Sequence, residues 1–255
     1  MAGNLLEALR FFGQARKNAE IVDLPGVSLI FCGMNYAAFN AALLAQPVSG
    51  STELSRLIGA AAMHFSQRQL RWTYWACDDF LDPATRRIAP HIFQRHGLRP
   101  LTEAPGMYAA SLLPPYQPLP ALEIRPVNDQ PTRDAFAAIM SVGFEIPQSV
   151  CEAVYGSAHA WNRQLHGYVG LVNGRPLTTA AASITGDVIG LYSVATLPQF
   201  RRQGYAEAIM RRVIDQARET SGITRTVLQS TRSGIALYQK MGYQTVTNFK
   251  VYIAD

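Results

Sequence analysis

The residues of this chain best suited to chemistry stand in one stretch, Val194-Ala195-Thr196-Leu197-Pro198-Gln199-Phe200-Arg201-Arg202-Gln203-Gly204-Tyr205-Ala206. A strand-like run passes into a turn with two arginines and a glycine, and a helical pattern starts there. The first N–H groups of a helix lack intrahelical acceptors, and the macrodipole adds partial positive charge, so such a turn binds anions. Gly204 lets an anion approach the backbone, and Ala206 keeps the next turn small. Arg201 and Arg202 add charge-assisted donors. Seven arginines lie from Arg201 to Arg232, in a chain whose 23 Lys and Arg against 18 Asp and Glu give a net charge of +5. That balance favours anionic ligands and is too mild to imply nucleic acid.

Other chemistries have little footing. Cys32, Cys77 and Cys151 form no C-x-x-C pair, so they read as buried reduced thiols. The five histidines make no metal-ligand spacing, and no metal is expected. The opening residues lack a basic region followed by an apolar run, and no run reaches the ~20 apolar residues that span a bilayer. The expectation is a cytoplasmic protein, monomer or homodimer, with no membrane or nucleic-acid partner. Its 255 residues suffice to bury a core without staples.

The elements that must position the arginine turn follow from periodicity. Four prolines in seven residues, Pro114, Pro115, Pro118 and Pro120, mark 114–120 as an extended connector. It separates a first domain (1–113) from a second (121–255). In the second, strands are predicted at 122–127, 165–172, 177–184, 187–196, 226–229, 243–247 and 249–253. Helices are predicted at 129–143, after Pro147, and at 204–220 and 233–241. Asn173-Gly174 is a strong hairpin turn signal. In the first, helices are expected at 4–16, 53–68 and 83–96. Strands are expected at 19–23, 28–32, 39–44 and 71–77, with two more near 98–102 and 107–112. The fold class is α/β (α+β), a mixed, mainly antiparallel twisted sheet flanked by helices.

The two parts end alike. Ile92-Phe93-Gln94-Arg95-His96-Gly97-Leu98, then Leu101-Thr102 and Met107-Tyr108, parallels Leu237-Tyr238-Gln239-Lys240-Met241-Gly242-Tyr243, then Val246-Thr247 and Val251-Tyr252. One inserted residue is needed before the last pair. The match points to a duplicated unit, with Phe93 standing where Tyr238 stands.

The turn Arg201-Arg202-Gln203-Gly204-Tyr205-Ala206 resembles the acetyl-coenzyme A signature [Gln/Arg]-x-x-Gly-x-[Gly/Ala] of the GNAT (GCN5-related N-acetyltransferase) superfamily. Ala236-Leu237-Tyr238-Gln239-Lys240-Met241-Gly242-Tyr243 resembles that family's last helix and following strand. The resemblance covers about residues 122–255, and the repeat makes the first part similar to a degenerate copy without the coenzyme turn. It implies acetyl-CoA as co-substrate and an amine of a small molecule, amino acid or peptide as acceptor. The backbone of Val194, Ala195 and Thr196 would pair with the pantetheine arm where two strands splay. The N–H groups from Arg202 through Gln203, Gly204, Tyr205 and Ala206 to Glu207 would hold the pyrophosphate, beside Arg201. Val194 N–H would stabilise the oxyanion, and Tyr238 would protonate the departing thiolate. Thr231 stands where many members have a coenzyme-contacting Asn. For the general base, Asp187, Glu145, His166 and proton loss to water all stand open; Cys151 is not expected to act as a nucleophile. The alternative is a non-catalytic acyl-CoA-binding regulatory module. Trp72, Tyr74, Trp75 and Phe80 suit either a wall of the acceptor pocket or a packed core.

Overall fold

Asn173 and Gly174 take φ of 50° and 73°, the left-handed pair that a two-residue hairpin turn requires. Asp129 caps its helix in the same local manner: its carboxylate accepts from Thr132 N at 2.9 Å while the Thr132 hydroxyl accepts from Asp129 N at 3.3 Å. Such signals set the element ends across most of the chain. The computed structural model describes residues 1–162 and 165–254. Its first half holds α1 (Ala2–Arg10), β1 (Glu20–Leu24), β2 (Val27–Phe31), β3 (Ala41–Leu44), α2 (Ser51–Gln67), β4 (Trp72–Cys77), α3 (Pro83–Arg95) and β5 (Arg99–Ala109). The second holds β6 (Glu123–Pro126), α4 (Gln130–Phe144), α5 (Gln148–Tyr155), β7 (His166–Val172), β8 (Arg175–Thr185), β9 (Val188–Thr196), α6 (Tyr205–Ser221), β10 (Thr226–Gln229), α7 (Ile235–Lys240) and β11 (Gln244–Ala254).

All these strands join one sheet, in the order β1-β2-β3-β4-β11-β5-β10-β9-β8-β7-β6. Neighbours run antiparallel except β3 with β4 and β9 with β10, which occupy matching places in the two halves. The last strand of each half lies in the other's territory: β11 pairs with β4, and β5 pairs with β10. Helices α2, α3, α6 and α7 cover one face, and α1, α4 and α5 cover the other. The halves are two related copies.

Three expectations need correction. The pairs of short strands expected at 98–102 with 107–112, and at 243–247 with 249–253, are single strands, β5 and β11, of 11 residues each. Each runs through the expected interruption, at 103–106 and at 248, and carries a bulge before it, at Leu101 and Val246. Both ends of β5 and β11, and both bulges, differ by 145 positions, so no inserted residue separates the copies. The helix expected over 4–16 stops at Arg10, followed by a 3-10 turn over Phe12–Gln14. There Phe11 and Phe12 turn into an aromatic cluster with Phe39, Tyr155 and Trp161, which outweighs continued helix. The strand expected from 39 begins at Ala41, because Asn40 ties the preceding turn down: it accepts from Cys32 N at 3.0 Å and donates to Met34 O at 2.7 Å.

Candidate active site

The site is built where β9 and β10 part. Their parallel pairing joins Thr226 with Ile189, Val227 with Gly190 and Leu228 with Leu191, and stops there. Beyond it β9 runs on to Thr196, while Gln229 ends β10 paired with Gly106 of β5. Residues 192–196 therefore present a strand edge to the gap, open to an added extended ligand.

A bulge shapes that edge. Thr179 faces Ala195 and Ala181 faces Tyr192, so Ser193 and Val194 together oppose Ala180, with Ser193 at φ 51°. Such a φ is costly for a non-glycine residue and persists only when its surroundings hold it. Two buried threonines do so. The Thr179 hydroxyl donates to Ser193 O at 2.9 Å and the Thr178 hydroxyl to Ala195 O at 2.8 Å. Thr178 also lies 2.9 Å from the Thr196 hydroxyl. Replacing Thr179 with Val should lower kcat about tenfold, the worth of one hydrogen bond at ~1.4 kcal/mol, with coenzyme affinity held and Thr179→Ser restoring the rate. Unchanged turnover in Thr179→Val would show that this hydroxyl does not set the bulge.

After Thr196 the chain makes a 3-10 turn over Pro198–Phe200 and enters α6 through Arg202 (φ 63°) and Gly204 (φ 86°). No side chain caps α6. Among the described residues, no protein acceptor takes the N–H groups of Arg202 to Glu207, which form the anion-binding row expected at a helix start. Arg201 braces the turn instead of pointing away, donating from Nε to Thr196 O at 3.0 Å. Glu207, an anion in the first turn, is neutralised by Arg211 at 2.7 Å. A Cβ on Gly204 would meet Pro120 of the connector at 3.0 Å, so both φ and packing require glycine here.

Across the gap, Tyr238 lies on α7 with its ring against Gly234 and edge-on to Tyr243, the centroids 6.1 Å apart. The Tyr238 and Val194 side chains border the same apolar cluster beneath α6. Burial pushes the Tyr238 phenol up to about 12. Thr231 is exposed and lies 3.0 Å from the Ser233 hydroxyl.

Of the base candidates, Asp187 and His166 stand apart from the gap, whereas Glu145 follows Gly143, which packs against Ala195 of β9. Asp187 is ion-paired with Arg225 at an exposed strand end. Glu145 is exposed just past α4 in the left-handed region, at φ 56°. His166 opens β7, two strands beyond β9. Cys151 is buried, and desolvation lifts its thiol to about 11. Trp72 stacks on Phe65 at 4.5 Å and Tyr74 packs edge-on to Phe93 at 5.0 Å, so these aromatics build the first half's core rather than a pocket wall.

The first half reaches the second through α1, which sequence reasoning missed. Asn4 is buried, donates to Ser183 O at 2.9 Å, and accepts from the Tyr192 hydroxyl at 2.6 Å. A polar residue on the helix stripe shared with Leu5 and Ala8 was the available signal. In the first half the place matching the anion turn carries a carboxylate. Glu53 accepts from Ser49 N at 2.6 Å and from its hydroxyl at 2.7 Å, at the start of α2. Val48 N donates to Phe80 O at 2.9 Å, tying that loop to the segment after β4.

The GNAT acetyltransferase family model matches residues 134–243, which contain the gap, the turn and Tyr238. By this match the second half of the chain resembles the GNAT superfamily. Solved structures share the fold over nearly the whole chain. A GCN5-related N-acetyltransferase from Kribbella flavida aligns over 98% of this chain and 95% of its own, at 17% identity and TM-score 0.70. A tandem GNAT protein from the clavulanic acid biosynthesis pathway aligns over 98% and 86%, at 11% identity and TM-score 0.59. A GCN5-related N-acetyltransferase from Sphaerobacter thermophilus aligns over 99% and 93%, at 16% identity and TM-score 0.58. No curated protein matches the chain by sequence. Among the described residues, no helix is long and apolar enough to cross a membrane.

Proposed function

We propose that the chain is an N-acetyltransferase that uses acetyl-CoA and acetylates an amine of a small molecule, amino acid or peptide by direct attack. The observation that carries this reading is the gap between β9 and β10, continuous at its mouth with the unpaired N–H groups at the start of α6. An extended arm with a diphosphate at one end fits that pair of features. The edge of Val194, Ala195 and Thr196 takes the arm by strand addition, and Arg202 to Glu207 hold the diphosphate. Bound there, the coenzyme supplies an acetyl group activated as a thioester.

The chain's own residues then do three things. Val194 N–H, set by the bulge, donates to the carbonyl oxygen as negative charge develops on it. Tyr238 gives its hydroxyl proton to the departing sulfur. The connector at 114–120 divides a first domain (1–113), whose α2 turn carries the Glu53 carboxylate and takes no coenzyme, from the catalytic one (121–255). Among the described residues, Asp187 and His166 lie away from the gap, which leaves Glu145 or water to take the amine proton.

Calorimetry with acetyl-CoA on the whole chain, followed by thiol release across a panel of amines, amino acids and peptides, tests the reading. One coenzyme per chain and amine-dependent thiol release are expected. Two coenzymes per chain would overturn the coenzyme-free first copy. Binding without release above background would make the protein a coenzyme sensor.

A further inference from the structure

The connector carries the most exposed large apolar side chain among the described residues, Tyr116, at 92%. Its surroundings hold it beside α6. Three residues before it, Leu113 donates from N to Met241 O at 2.9 Å and accepts from Arg211, in the second turn of α6, at 2.6 Å. Four residues after it, Pro120 packs against Gly204 at the start of α6. Extended backbone spans at most about 3.6 Å per residue, so Tyr116 lies within about 14 Å of Pro120 and about 11 Å of Leu113. Pro114, Pro115 and Pro118 fix φ on both sides and limit the connector's freedom.

A flat, rigid aromatic is thus pinned in solvent beside the row of N–H groups that faces an anion. Pro120 packs on Gly204 at that turn, so the connector lies within reach of the nucleoside of a nucleotide whose diphosphate sits on the row. Base–aromatic stacking needs only an exposed ring face, and a tyrosine orders few rotatable bonds on supplying one. We propose that Tyr116 is the stacking platform for the adenine base of the coenzyme, a contact supplied by the segment between the two copies. The proposal rests on the reading that the coenzyme docks at α6.

Calorimetry on the full chain separates the two ideas, using coenzyme A and 4′-phosphopantetheine, which keeps the arm and one phosphate and lacks the second phosphate and the 3′-phosphoadenosine. Tyr116→Ala should weaken coenzyme A binding about ten- to a hundredfold and leave 4′-phosphopantetheine unchanged, with Tyr116→Trp retaining wild-type affinity for both. Equal coenzyme A affinity in Tyr116→Ala, or equal loss for both ligands, would overturn the stacking role. Failure of the unchanged chain to bind either ligand overturns the coenzyme reading, and this proposal with it.

Discussion

Tyr238→Phe should slow acetyl transfer about a hundredfold, the lower range for losing a positioned general acid, with coenzyme affinity within about threefold. The side chain's position explains the split: it lies against Gly234 at the gap, beyond the N–H row that would hold the diphosphate. Desolvation raises its pKa from the ordinary ~10 to about 12. The proton-bearing form therefore persists through pH 10–11, and the alkaline fall in rate should come near 12. The same shift acts on stability. Above pH ~10 the unfolded chain releases this proton while the folded chain keeps it, so stability declines as pH climbs toward 12. Tyr238→Phe should remove that part of the decline. Thiol-release kinetics against pH, with calorimetry, read all of this; an unaltered kcat would take Tyr238 out of the acid role.

The largest expected effect on stability is at Gly190. A Cβ there would overlap the Asn4 Oδ1 and crowd Tyr192 Cε2 at 2.6 Å. Asn4 has no free direction to yield, because it is buried between Ser183 O and the Tyr192 hydroxyl. Gly190→Ala therefore adds overpacking, worth ~1–3 kcal/mol, to the loss of two buried hydrogen bonds at ~1 kcal/mol each. A drop in Tm of about 10 °C follows for a chain of this size. Thermal unfolding measures it, and a shift below about 2 °C would show that α1 docks without this lock. Asn4→Ala in the same chain should recover part of the loss, since the two positions share a contact.

Much of the site was legible in the residues. The arginine–glycine turn opens a helix where the pattern of 204–220 put one, and β9 and β10 fall within a residue of their expected ends. Local chemistry decides those features, so local reading finds them. The misses are non-local. Thr178 and Thr179 read as ordinary strand residues, and only the bulge across from them turns their hydroxyls into braces. Asn4 acquires its partners about 180 positions away. The continuity of β5 and β11 is likewise set by their pairing with β4, β10 and each other rather than by local pattern.

The exchange of β5 and β11 also constrains how the chain comes off the ribosome. β4 lies between β3 and β11, yet β11 is made more than 160 residues later. At roughly 5–20 residues per second, the first copy waits on the order of ten to thirty seconds with one side of its sheet unpaired. An unpaired edge carrying Trp72, Tyr74 and Trp75 is a template for wrong partners. Nascent chains stalled before residue 244 should therefore recruit holding chaperones, and release of β11 is the event that ends that exposure.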